Sequence, residues 1–311
     1  MMQLDRFRVP VLLAAGAVAL LLPAFTGDRF SLQFAGKAMI TCIFAMSLDL
    51  LVGYAGLVSL AHAAFFGLAA YILAGLSNGL LLVNPIATLP LCLGGAAVAA
   101  FAIGWVSLRT SGIYFIMVTL AFTQMLYYLF NDAPGFGGSD GLYVNQRPRL
   151  GPLDFTDRRT AYVAIWLALV FVYVLLRRVV RAPFGHVLVG IRCNEQRMRS
   201  LGFATPRYKL AAFVVASVLA GLAGYLDATL YGFVNPAQLG WRQSGLLLMT
   251  VLLGGKGTLY GPAIGALVLT FLEHYGERMT SHWNAAVGAF VIVVVLFLPR
   301  GIAGTLESER G

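Results

Sequence analysis

Residues 45–71 read AMSLDLLVGYAGLVSLAHAAFFGLAAY. The stretch is apolar almost throughout, with Asp49 as its one charged side chain and His62 as its one histidine. A Gly53-x-x-Gly56 step divides it into two runs, 37–52 and 57–77. A helix on the surface of a soluble protein keeps one polar face, and neither run has one. The same texture continues along the chain. Further apolar segments run near 9–25, 86–108, 111–130, 160–180, 209–231, 243–254, 261–276 and 284–299. Most have the length that crosses a bilayer. The expected fold is all-α: one polytopic transmembrane bundle over 1–311, of eight to ten spans. Segments 37–52 and 243–254 are the short ones, each either a full span or a half-helix.

Composition agrees. Of 311 residues, 59% are hydrophobic and 11% charged, against about 25% charged in an ordinary soluble domain. No stretch is long and polar enough to form a soluble domain. Arg6 and Arg8 before Val11–Leu22 resemble the start of a signal peptide, but no small-x-small cleavage site follows, so this is expected to be a retained first span.

The formal charge of +9 is concentrated. Arg177, Arg178, Arg181, Arg192, Arg197, Arg199, Arg207 and Lys209 face one acid, Glu195, a local net of +7. The loop 131–159 balances four aspartates against four arginines. The positive-inside rule explains this asymmetry more simply than nucleic-acid binding, and no nucleic-acid partner is expected. Loop 181–208 is then cytoplasmic, 131–159 is outside, and with ten spans both termini are inside. Asn84-Pro85 and Thr205-Pro206 each read as a capping side chain before a proline at the first helical position.

A second glycine-rich interruption, Gly254-Gly255-Lys256-Gly257-Thr258, lies in the other half of the chain. Paired interruptions point to an internal repeat with broken helices and to a solute path between them; the alternative is two ordinary turns. On the first reading Gly53, Tyr54, Gly56, Ser59, His62, Gly254, Gly255 and Gly257 line the path. The Gly-Lys pair is no phosphate-binding loop, because Gly257 stands where Ser or Thr is needed to hold magnesium. Asp49, His62, Asp227, Glu273 and His274 are ionisable residues in apolar segments, costly in lipid unless turned to protein or water. They suit either a proton relay or structural pairing. For Asp49, one turn before the first glycine cluster, a hydrogen bond to that irregular backbone is expected. Glu273 and His274 are expected at the interface. Cys42, Cys92 and Cys193 show no disulfide or metal spacing. No nucleophile–base pair or metal motif appears, so no catalytic residue, metal site or directly bound cofactor is expected.

Within the basic loop, Asn194 is placed to cap a short helix starting at Glu195, and Gly202 to stop it. That element reads either as a rod that docks in a partner's groove or as a solvated basic loop. On the docking reading Leu188, Ile191 and Leu201 are the apolar anchors, with Arg192, Glu195, Arg199 and Gly202 shaping the contact.

Several blocks together resemble one family: residues 45–71, TSGIYFIMVTLAFTQM (110–125), GGSDGL (137–142), Pro183-Phe184-Gly185 through Glu195, Leu201-Gly202, Arg207-Tyr208-Lys209, and LLGGKGTLYGPAIGA (252–266). They are similar to the permeases of branched-chain amino-acid ABC importers, nearest to the M-type subunit, over roughly 37–300. The resemblance implies a bacterial inner-membrane importer with a second homologous permease, two cytoplasmic ATPase subunits holding ATP and Mg, and a periplasmic solute-binding protein. It also implies that Glu195–Gly202 is the loop that meets an ATPase, although Met198 stands where a small residue is usual. The same branch includes urea and aromatic-acid importers. A proton-driven carrier using Asp49, His62, Asp227 or Glu273 is the competing class.

Overall fold

The computed structural model describes residues 29–79, 84–150, 153–155, 157–279, 282–297 and 301–308. Segment 9–25, Arg6, Arg8 and Arg300 lie outside them. The chain forms an all-α membrane bundle. Among the described residues, five helices are long and apolar enough to cross a bilayer: Phe30–Ala55, Pro85–Ser107, Ile113–Asn131, Arg158–Arg181 and Thr205–Tyr231.

Helix α1 (Arg29–Asp49) runs on through a π-helical turn, Leu50–Ala55. Segment 37–52 is therefore part of a full-length span and not a half-helix. Gly56, at φ +71°, closes the turn, and an extended stretch leads to α2 (His62–Gly79). Helix α3 (Pro85–Ser107) starts as expected, with the Asn84 side chain accepting from the Ile86 N–H at 3.0 Å. Helix α4 (Ile113–Asn131) leads into the 131–159 connection. That connection carries β1 (Leu142–Tyr143), β2 (Arg149–Leu150) and β3 (Leu153–Asp154). Helix α5 (Arg158–Arg181) returns to two short helices, α6 (Pro183–Cys193) and α7 (Glu195–Ser200). Helix α8 (Thr205–Tyr231) crosses again, followed by β4 (Phe233–Val234) and a 3-10 turn, Pro236–Leu239. Helices α9 (Trp241–Gly254), α10 (Tyr260–Met279), α11 (Trp283–Phe297) and α12 (Gly301–Ser308) follow. At 1.5 Å per residue the 14 residues of α9 reach about 21 Å, short of the hydrocarbon thickness of about 30 Å, so segment 243–254 is a half-span.

Burial sorts these helices into an inner and an outer set. The windows of α1 and α8 are 89% and 67% buried, whereas those of α3, α4 and α5 are below 30%. The outer helices turn apolar side chains such as Val98, Ile113 and Phe171 outward, as lipid requires. The inner contacts rest on small residues. Helix α8 presents Ala216, Ala220 and Ala223 to the core, all fully buried. A Cβ on Gly224 would lie 1.9 Å from the Phe66 carbonyl oxygen of α2. In lipid, where apolar burial gives no driving force between helices, such close backbone approach supplies the packing.

The two ends of the bundle are distinct. Strand β1 pairs antiparallel with β4, joining the 131–159 connection to the end of α8. Ser77 and Asn78, at the end of α2, hydrogen-bond to the carbonyls of Gln146 and Tyr143 at 2.8 and 2.7 Å. The basic helices α6 and α7 sit at the other end of α8, about 40 Å away along a 27-residue helix. Asn145 and Cys193 are both exposed, at opposite ends. An impermeant maleimide applied to intact spheroplasts should therefore label either an Asn145→Cys site or Cys193, never both. Labelling of both in sealed spheroplasts contradicts this arrangement.

Candidate functional site

The two glycine interruptions, about 200 residues apart in sequence, are packed against each other. One joins α1 to α2 and the other joins α9 to α10. A Cβ on Gly53 would lie 2.5 Å from the Gly257 nitrogen and 2.3 Å from Asp49 Oδ1, so only glycine permits the contact. Asp49 is fully buried. Its Oδ1 accepts from the Gly257 N–H at 2.7 Å and its Oδ2 from the Leu259 N–H at 3.3 Å. The expected bond from Asp49 to irregular backbone exists, but to the second glycine segment and not to the first. The turn it holds is strained: Leu259 has φ +58°, the one non-glycine residue at positive φ among those described. Gly254 packs its backbone against Gly261, and Gly255, at φ +111°, ends α9.

The extended stretch after Gly56 carries backbone groups that lipid cannot satisfy. Side chains of other helices satisfy them. Thr119 Oγ1 accepts from the Leu60 N–H at 3.2 Å, Thr123 Oγ1 donates to the Leu60 carbonyl at 2.9 Å, and Ser244 Oγ accepts from the Ala63 N–H at 3.0 Å. Ser59 is buried and accepts locally from the Ala61 N–H. His62 opens α2, fully buried between the rings of Phe44 and Phe65. Tyr54 is half-buried against the core. The residues expected to line a path thus form a packed junction across the bundle.

The short basic helices are built as the sequence indicates at their ends. Asn194 caps α7 by accepting from the Arg197 N–H at 3.0 Å, and Gly202 stops it at φ +88°. Thr205 is not the cap of α8: Ala204 occupies that position, and Thr205 donates instead to Glu195 Oε1 at 3.1 Å. Glu195 also accepts from Arg199 at 2.7 Å and from Lys209. Partial burial works against its ionisation, but the bonds from Lys209, Arg199 and Thr205 prevail and hold its carboxyl below the ordinary carboxylate range. Met198 lies over Gly190, where a Cβ would meet its sulfur at 2.8 Å, locking α7 onto α6.

The apolar anchors need correction. Leu188 and Ile191 are buried in this chain's own bundle, at 0% and 3% exposure, and present no surface to a partner. Their place on the inner side of α6 follows from its one-sided apolar pattern. Leu201, at 66% exposure, is free to make contact, together with Val189 and Phe203. Arg192 also has an unexpected role. It donates through Nη1 to the Gly53 carbonyl, and its aliphatic stem lies over Gly56. The short helices and the glycine junction are therefore one connected unit. No sequence signal distinguishes Arg192 from its basic neighbours in this respect.

A cavity of about 540 Å3 lies beside the junction, toward the end of α8 that meets β4. Phe44, Phe66, Leu246 and Leu247 supply apolar walls. Lys37, Asp227, Glu273, Gln238, Gln243 and Thr250 supply the polar ones. Lys37 Nζ pairs with Glu273 at 3.5 Å, and Gln238 Nε2 donates to Asp227 at 3.1 Å. Glu273 is thus paired within the protein, while His274 packs its ring on Phe30 and Phe34. Asp227 and Glu273 stand out in the sequence as charges in apolar segments. Lys37 and Gln238, at a segment edge and in a loop, give no such signal.

The family described as "Branched-chain amino acid transport system / permease component" matches residues 30–298. The high-affinity branched-chain amino acid transport system permease protein LivM of Escherichia coli (strain K12) is 29% identical over 308 residues, covering 89% of this chain and 71% of LivM. The LivH permease protein of the same system and strain is 33% identical over 122 residues, 38% of this chain and 39% of LivH. The autoinducer 2 import system permease protein LsrC of Photorhabdus laumondii is 30% identical over 155 residues, 46% of this chain and 45% of LsrC. No solved structure matches.

Proposed function

Because the chain belongs to the family of branched-chain amino acid transport system permease components, we propose that it forms one half of the translocation unit of a bacterial ABC importer for branched-chain amino acids. The second half is a homologous permease, a proposal supported by the similarity to both LivM and LivH. Two cytoplasmic ATPase subunits bind ATP and Mg and dock on α6–α7, while a periplasmic binding protein delivers solute on the 131–159 side. The chain itself performs no covalent chemistry, and the bacterial inner membrane is its site.

The observation that carries this reading is the bond from Arg192 to Gly53. It ties a short helix at the basic end of the bundle to the two interrupted helix pairs at its centre. A partner that shifts α6 thereby acts directly on the junction, and the short distance requires no long relay. The cavity, lined by Phe233 of β4, lies further along α1 from the same junction.

Uptake of labelled leucine, isoleucine and valine by a deletion strain, with and without the restored gene, tests the solute. Restored uptake of these three, inhibited by each unlabelled amino acid and not by urea or benzoate, is expected. Restoration of urea, aromatic-acid or sugar-like autoinducer uptake alone reassigns the solute within the family.

A further inference from the structure

We propose that the 540 Å3 cavity is a binding site within the membrane for a zwitterionic α-amino acid with a branched aliphatic side chain, its ammonium at Asp227–Gln238 and its carboxylate at Lys37. The inference rests on the function proposed above and assigns a recognition site to this chain in addition to the binding protein.

The volume is that of a small-molecule site. Its polar groups differ in sign and lie at different places on the wall. Asp227 is buried on α8, with Gln238 Nε2 donating to its Oδ2. Gln238 Oε1 is buried and has no hydrogen-bond partner. A buried acceptor left unpaired is costly, and an arriving donor relieves that cost. An ammonium supplies three donors, enough for the Asp227 carboxylate and Gln238 Oε1 together. A carboxylate, which has acceptors only, has no such match there. Lys37, on α1, is the cation of the cavity. It is half exposed, and its contact with Glu273, at 3.5 Å, is at the long end of an ion pair. The Lys37 ammonium has three donors, so a ligand carboxylate can share it with Glu273 through a shorter charge-assisted bond. Between these poles Phe44, Phe66, Leu246 and Leu247 form an apolar wall of the kind an aliphatic side chain fills. Both charges of the ligand are met, so its entry into the membrane leaves neither unpaired.

The placement along the path fits. Tyr231 and Phe233 line the cavity beside the β1–β4 pair. Further along α1, past Lys37 and Phe44 of the cavity wall, lies Asp49 with its bond to Gly257. A solute held here waits outside the junction that Arg192 connects to α6.

The test uses the full complex in proteoliposomes with its binding protein. The chain carries Leu246→Cys as a reporter in the wall and Cys193→Ser to remove the exposed thiol; Cys42 and Cys92 are buried. Leucine should slow modification of the reporter by a small methanethiosulfonate. Neither 4-methylpentanoate, which lacks the ammonium, nor 3-methylbutylamine, which lacks the carboxylate, should do so. Asp227→Asn should remove the protection by leucine and lower leucine uptake about tenfold or more, as expected for a lost charged hydrogen bond. Asp227→Glu should restore part of both. Lys37→Gln should do the same damage from the carboxylate end, and it decides the question if Asp227→Asn does not accumulate in the membrane. Parental leucine uptake combined with no protection and unchanged uptake in both variants overturns the site while leaving the proposed function intact. Absence of leucine uptake by the parent overturns the proposed function, and the site with it.

Discussion

Gly53→Leu abolishes uptake while the protein still reaches the membrane. Even the first carbon of the new side chain would stand 2.5 Å from the Gly257 nitrogen and 2.7 Å from its Cα. Both are backbone atoms, fixed by the Asp49 bonds and unable to turn aside. The two interrupted segments must separate, which breaks the Asp49–Gly257 bond and pulls the Gly53 carbonyl from Arg192. Overpacking of this kind costs about 1–3 kcal/mol, and each buried N–H left unpaired adds about 1–3 kcal/mol. The spans themselves bury their backbone bonds internally, so insertion survives. Asp49→Leu should act in the same direction by leaving the Gly257 and Leu259 N–H groups without acceptors. Asp49→Asn retains one carbonyl acceptor and should be milder. Uptake normalised to membrane content checks the series; parental uptake by Gly53→Leu would remove the junction from the mechanism.

Gly202→Pro is expected to uncouple the ATPase from uptake. Gly202 ends α7 at φ +88°, and its N–H donates to the Arg199 carbonyl at 2.9 Å. Proline is fixed near −65° and has no N–H, so the turn cannot form. Leu201 and Phe203, exposed on either side of it, are redirected. Gly202→Ala is the control. No atom lies within 4 Å of the added carbon, so it bears only the cost of a left-handed residue, about 1 kcal/mol. In the purified complex, Gly202→Pro should lose solute-stimulated ATP hydrolysis or release the ATPase subunits, with Gly202→Ala close to the parent. Intact stimulation and transport in the proline variant would detach α7 from energy coupling.

The sequence was informative wherever the signal is local. The bundle follows from apolar segments of membrane length, and the ends of α7 follow from Asn194 and Gly202 because capping depends on neighbours in the chain. Segments 37–52 and 243–254 differ in outcome for a reason periodicity does not carry. The π turn lets α1 continue past Asp49, whereas α9 stops at Gly255. Leu188 and Ile191 share the apolar side of α6, but the pattern does not say whether a partner or this chain's own bundle covers that side, which is a tertiary fact. The same holds for Thr205, taken from its expected capping place by Glu195. Both glycine interruptions are visible in the sequence, but their contact is not, and neither is the inward reach of Arg192. These are long-range pairings with no local signature.

The most direct test concerns the energy source. Right-side-out membrane vesicles containing the full complex are loaded with ATP and supplied with binding protein and labelled leucine. Uptake should require internal ATP and persist when a protonophore collapses the proton gradient. Uptake that proceeds without ATP and stops with the protonophore would contradict the account and identify a proton-driven carrier.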